Sequence, residues 1–197
     1  MSGFLVGLGV STVAIFIAEM GDKTQLVAMS LATRYRFLTV VLGITAATTV
    51  VHLASVLIAE LLGKTLPTVW LTLTAGVAFL IFGLWTLRGD EMSVKDEERA
   101  ASRRIRSGFL TVFVVFLVAE LGDKTMLATI AVGTQHHWLA VWIGSTIGMV
   151  AADTIAIAIG AVLGKKLPER VVRIGAAILF FIAGVTLLGQ GAWTLVA

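Results

Sequence analysis

Cysteine is absent from the 197 residues, so the chain has no disulfide framework, no thiolate metal site and no cysteine nucleophile. Charge is scarce too. Asp, Glu, Lys and Arg make up 14% against 58% hydrophobic residues, and the mean hydropathy of +0.98 excludes a soluble domain of ordinary composition. The N-terminus carries neither a charged leader region nor an A-x-A cleavage site, so the first apolar segment is expected to be a retained helix. No P-loop, metal-hydrolase helix or nucleophile–base arrangement is readable, which argues against an enzyme. The net charge of +3 and pI near 9.6 do not indicate a nucleic-acid partner, because the basic residues stand in short loops between apolar runs.

What the chain does contain is long apolar stretches. They run over about 4–33, 37–62, 69–87, 108–134, 138–163 and 174–196, each sufficient for the roughly 20 residues that cross a hydrocarbon core. The expected fold is an all-α integral membrane protein with six transmembrane helices and membrane lipid around it. Trp70, Trp85, Trp138 and Trp193 fall near the predicted helix ends, where an interfacial aromatic belt belongs.

The two halves align without a gap at an offset of 101 residues. Glu19 pairs with Glu120, Gly21 with Gly122, Asp22 with Asp123, Lys23 with Lys124 and Thr24 with Thr125; further along, Gly43 meets Gly144, His52 meets Asp153, and the only two prolines, Pro67 and Pro168, meet each other. One register carrying all of these marks an internal duplication. It divides the chain into a first three-helix repeat (1–88), a charged linker (89–107) and a second repeat (108–197). Because three is odd, the second copy is expected to enter the membrane inverted, an architecture of many secondary transporters. Arg34 and Arg36, the basic residues from Arg88 to Arg106, and Lys165, Lys166, Arg170 and Arg173 share one side, whereas the other holds only Lys64 with His136 and His137. The positive-inside rule then puts the linker in the cytoplasm and both termini outside, with a bacterial inner membrane as the default location.

Within the first helix of each repeat lie "AEMGDKTQL" (18–26) and "AELGDKTML" (119–127). Glu19 and Glu120 fall near mid-bilayer, where charges left facing lipid cost roughly 2.5–3.5 kcal/mol each, so the six motif charges must face one another. Gly21 and Gly122 either let two such helices approach closely or permit a local break whose backbone carbonyls can ligate cations. Four carboxylates (Glu19, Asp22, Glu120, Asp123) and two lysines (Lys23, Lys124) leave two negative charges, which one divalent cation or two protons would neutralise. Clustered, desolvated carboxylates readily share protons, and a site satisfied by either guest is a recipe for cation/proton exchange. The donors are oxygen: the carboxylates, the Thr24 and Thr125 hydroxyls and the Gln25 amide, a set that suits Mg²⁺, Ca²⁺ or Mn²⁺ as the partner ion. A purely structural ion-pair network is the bland alternative, and it is a poor source of stability because desolvation offsets the attraction.

These two copies of E-x-G-D-K-T resemble the E-x-G-D-[KR]-[TS] motifs of the GDT-type cation/proton exchanger family, and the resemblance spans essentially the whole chain. It implies that Mn²⁺, with Ca²⁺ in some members, leaves the cytosol in exchange for protons; no resident cofactor is expected. It assigns cation binding to Glu19, Asp22, Glu120 and Asp123, with Lys23, Thr24, Lys124 and Thr125 completing the motifs. A divalent-cation channel built on the same acids is the alternative reading.

Asp153 and His52, repeat equivalents within the second helix of each half, are expected to support the site or to relay protons. Glu60 and Lys64 read as a snorkelling interfacial pair. His136 and His137 read as an exposed turn, and the threonines of "GITAATTVV" as helix-packing residues.

Overall fold

A computed structural model describes residues 2–88, 107–163 and 169–196 of the protein. Those residues form eight helices: α1 (Ser2–Glu19), α2 (Lys23–Ala32), α3 (Phe37–Thr65), α4 (Thr68–Arg88), α5 (Gly108–Glu120), α6 (Lys124–Gly133), α7 (Trp138–Leu163) and α8 (Glu169–Val196). The linker expected over 89–107 lies outside them apart from Ser107, which caps α5 by accepting from Leu110 N. Lys165, Lys166 and Pro168 are outside them as well.

The helices repeat as the sequence does. α6 begins 101 residues after α2 and ends 101 residues after it, and α7 and α8 start at the same offset from α3 and α4. Five helices are long and apolar enough to cross a membrane by length and composition: α1, α3, α4, and the greater part of α7 and α8. The expected spans over 4–33 and 108–134 are not continuous. Each is two helices, α1 with α2 and α5 with α6, separated by a turn inside the motif.

Packing crosses between the repeats. α1 lies along α7 and α5 along α3, while the short helices α2 and α6 reach α7 and α3 respectively. Repeat-equivalent glycines permit both long contacts. A Cβ at Gly144 would stand 2.5 Å from the Leu8 carbonyl of α1, and one at Gly43 would stand 2.7 Å from Val112 of α5. The last helices of the two halves, α4 and α8, clasp each other directly. Phe79, Phe82 and Phe180 fill the space between them with ring centroids 5.8–6.1 Å apart.

The distribution of polarity is the reverse of a soluble protein's. Leu5, Val13, Leu38, Leu61, Leu84, Val118 and Val185 are more than half exposed, whereas Glu19, His52 and Asp153 are fully buried. Such an apolar exterior belongs against lipid tails. Trp70 and Trp193 stand exposed at 57% and 76%, near the start of α4 and the end of α8. Two threonine hydroxyls of α3 are satisfied inside their own helix, Thr45 donating to Val41 O and Thr49 to Thr45 O, as suits a membrane helix whose polar groups have no water to reach, whereas the buried Thr48 Oγ1 finds no partner among the described residues.

Candidate functional site

The motif folds as it does because each of its residues has a separate backbone task. Glu19 ends α1, and its carbonyl accepts from Asp22 N at 3.0 Å; Glu120 does the same for Asp123 N at 3.3 Å. Both four-residue turns place glycine third, with φ of 76° at Gly21 and 83° at Gly122, the geometry of a type II turn, which a side-chain-bearing residue adopts only with strain. Of the two roles open to these glycines, the break is the one observed. Asp22 and Asp123 then take extended backbone and become N-caps, each accepting from the amide two residues on, Thr24 N and Thr125 N, at 3.4 Å. The aspartates sit at the positive ends of short helices, where a negative charge is favoured.

The threonine hydroxyls reach back across each break. Thr125 donates to Glu120 Oε2 at 2.7 Å, and Thr24 donates to Glu19 Oε1 in a short contact while lying 3.1 Å from Asp22 Oδ2. Gln25 and its repeat equivalent Met126 fasten the turns: Gly21 N donates to Gln25 Oε1 at 2.9 Å, and Gly122 N to Met126 Sδ at 3.3 Å. The role of Met126 was not drawn from the sequence, although the offset of 101 that pairs it with Gln25 is the signal for it.

Between the repeats, Lys124 donates to Asp22 Oδ1 in a close ion pair, with both side chains almost wholly buried. Its ammonium also feels Glu19 and Asp123. Glu19 in turn lies in the field of Asp153, Glu120, Asp22 and Lys124. The structure therefore gathers Glu19, Asp22, Glu120, Asp123, Lys124, Thr24 and Thr125 into one buried region, with Gln25 at its edge. Lys23 opens α2, and its side chain lies outside the described residues.

Asp153, from α7, joins this group although it belongs to neither motif. It lies in the field of Asp22 and beside Glu19. No described residue donates to either Asp153 oxygen or to Glu19 Oε2, so a bond between the two carboxyl groups requires a proton on one of them. His52, at the equivalent place on α3, is also fully buried; Thr146 Oγ1 lies 3.5 Å from its Nδ1, and its Nε2 finds no partner among the described residues. Further out, Glu60 and Lys64 pair at 3.0 Å along α3. His137 is exposed and accepts from Leu139 N at 3.2 Å.

This geometry offers anionic oxygens from both repeats with a lysine ammonium among them. Among the described residues no three His, Asp or Glu side chains converge closely enough to ligate a single ion in this arrangement. The charge that the carboxylates attract is met at Asp22 by the ammonium.

Residues 7–93 and 108–194 each match the family model described as "Divalent cation/proton antiporter GDT1". A Vibrio cholerae protein named "Putative manganese exporter" is 33% identical over 178 residues, covering 89% of this chain and 86% of that one. A Synechocystis protein named "GDT1-like protein sll0615" is 29% identical over 94% of this chain and 96% of its own, and "GDT1-like protein 5" of Arabidopsis thaliana is 25% identical over the same shares. No solved structure matches the chain with significance.

Proposed function

Because the chain belongs to the GDT1 family of divalent cation/proton antiporters, we propose that it moves Mn²⁺, or Ca²⁺ in its place, out of the cytoplasm in exchange for protons. The path runs through a carboxylate site between two inverted three-helix repeats of a bacterial inner-membrane protein. Glu19, Asp22, Glu120 and Asp123 hold the ion, and Thr24 and Thr125 orient the glutamates that do so. Gln25 fastens the turn at Gly21 through its amide oxygen, which keeps a second lone pair for the ion. Asp153, sharing a proton with Glu19, couples the site to proton movement, and His52 supports the corresponding position in the other repeat.

One observation carries this reading. Carboxylates at both helix breaks lie buried together and are joined across the repeats by Lys124 and Asp22, with each repeat contributing its half. A shared site at the interface of two repeats is the arrangement in which relative movement of the halves exposes one guest to alternate sides. Metal favouring one protonation state and protons the other then couples the two fluxes. The reciprocal packing of α1 on α7 and α5 on α3 supports a two-fold relation between the halves.

The test is transport by purified protein in liposomes, with internal pH recorded during a Mn²⁺ gradient. Glu19→Gln and Asp123→Asn should each abolish Mn²⁺-driven proton movement. Near-normal exchange by both variants defeats the site assignment.

A further inference from the structure

Lys124 stands where its charge counts most. It opens α6 in the second repeat, yet its ammonium is bound to Asp22, the cap of α2 in the first repeat, 102 positions away in sequence. Both partners are buried, with side-chain exposures of 6% and 2%. The same ammonium lies in the field of Glu19 and Asp123, so acids of both motifs surround a single positive group. Asp153 adds a further buried carboxylate facing Asp22, and neither of its oxygens has a donor among the described residues. Buried acids of this number need their charge met, by protons or by a cation. A divalent ion approaching Asp22 Oδ1 meets a like charge at close range, and the repulsion opposes their sharing that oxygen.

We infer that the Lys124 ammonium is a tethered counter-cation that a divalent ion must displace from Asp22, so that Lys124 sets how tightly the ion is held and ties the two repeats together until the ion arrives. The inference rests on the carboxylate site proposed above and adds a competitor within it. Displacement has a mechanical side as well, because the Lys124–Asp22 pair links α2 to α6. Taking the lysine away from Asp22 unties one half-helix from the other at the point where the metal enters. A lysine present only as ballast in an ion-pair network would behave differently: its removal would weaken metal binding by loosening the acids.

The experiment is equilibrium binding of Mn²⁺ to purified protein in detergent, read from the loss of the free-ion paramagnetic resonance signal, for the native chain and for Lys124→Gln and Lys124→Arg. Lys124→Gln removes the competitor and should tighten Mn²⁺ binding by about tenfold or more, with slower release visible as reduced exchange in liposomes. Lys124→Arg keeps the charge and offers Asp22 a planar fork, so Mn²⁺ should bind several-fold more weakly. A folded Lys124→Gln that binds Mn²⁺ as the native chain does, or more weakly, overturns the inference. If Lys124→Gln does not fold, Lys124→Arg decides alone, and native or tighter binding by it is the overturning result. Asp22→Asn in the native background separates the two layers. Saturable binding that Asp22→Asn leaves unchanged removes the carboxylate site itself and the inference with it, whereas binding lost in Asp22→Asn but indifferent to Lys124 removes only the inference.

Discussion

Thr125 shows how much rests on single hydroxyls in this protein. Its Oγ donates to Glu120 Oε2 at 2.7 Å across the helix break, while Glu120 Oε1 has no partner among the described residues. Replacing it by valine keeps the shape and removes the only donor the described residues give that carboxylate, so Thr125→Val should lower stability by about 1–3 kcal/mol. Thr125→Ser should recover most of that. Denaturant or thermal unfolding in detergent measures both, and equal stability for valine and threonine would show that the bond contributes nothing. At this scale the sequence was informative about residue type and silent about partners. The spacing of Glu19, Asp22 and Lys23 could be read as one helix face or, with Gly21 among them, as a break, and nothing local decided that Lys124 should bind Asp22 rather than its neighbour Asp123. That choice is made by contacts between residues a hundred positions apart. Asp153 was legible as an intramembrane acid, but its proximity to Glu19 depends on α7 lying along α1, which is a tertiary fact.

The element most exposed to a single change is the turn that divides each motif helix. Gly122 has φ of 83°, and a Cβ there would meet nothing within 4 Å, so the cost of alanine is conformational and not steric. Gly122→Ala should therefore destabilise the protein by about 1–2 kcal/mol and shift the relation of Glu120 to Asp123. Gly63, whose Cβ would also meet nothing, lies near the end of α3 in ordinary helical geometry. Gly63→Ala is the matching control and should leave stability equal or slightly higher. Paired melting curves check this, and indistinguishable losses would show that the turn does not require its positive φ. The breaks themselves had a signature in the sequence that periodicity alone conceals. Gly followed by Asp and, two residues on, Thr is a helix stop and a helix start in succession. An unbroken run of apolar residues on either side makes the segment read as one long span, because hydropathy reports what a stretch can be buried in and not whether its hydrogen-bond ladder is continuous. The repeat offset, by contrast, transferred directly to structure: α2 and α6 share both boundaries at that offset, α1 and α5 their ends, and α3 with α7 and α4 with α8 their starts.

For the whole molecule the decisive quantity is net charge per transport cycle. The four motif carboxylates with Lys23 and Lys124 carry two negative charges when ionised, and on the proposed reading a proton shared by Glu19 and Asp153 would cancel the extra acid that α7 brings. One divalent ion for two protons then moves no net charge, so Mn²⁺/proton exchange in liposomes should be insensitive to an imposed membrane potential. Strong voltage dependence would count against that stoichiometry, and current without obligatory proton counterflow would identify a channel instead. Such a cycle also asks something of the helix ends, and Asp22 supplies it by dividing its labour. Oδ2 lies against the Thr24 amide and hydroxyl at the head of α2, while Oδ1 faces the other repeat. Visitors can therefore come and go at one oxygen while its twin keeps the coil from unravelling, and an asparagine there, as good a cap, would preserve the winding but turn every visitor away. On the proposed cycle, traffic through the protein would need no melting and rebuilding of secondary structure on each passage, and whole segments would tilt as solid pieces.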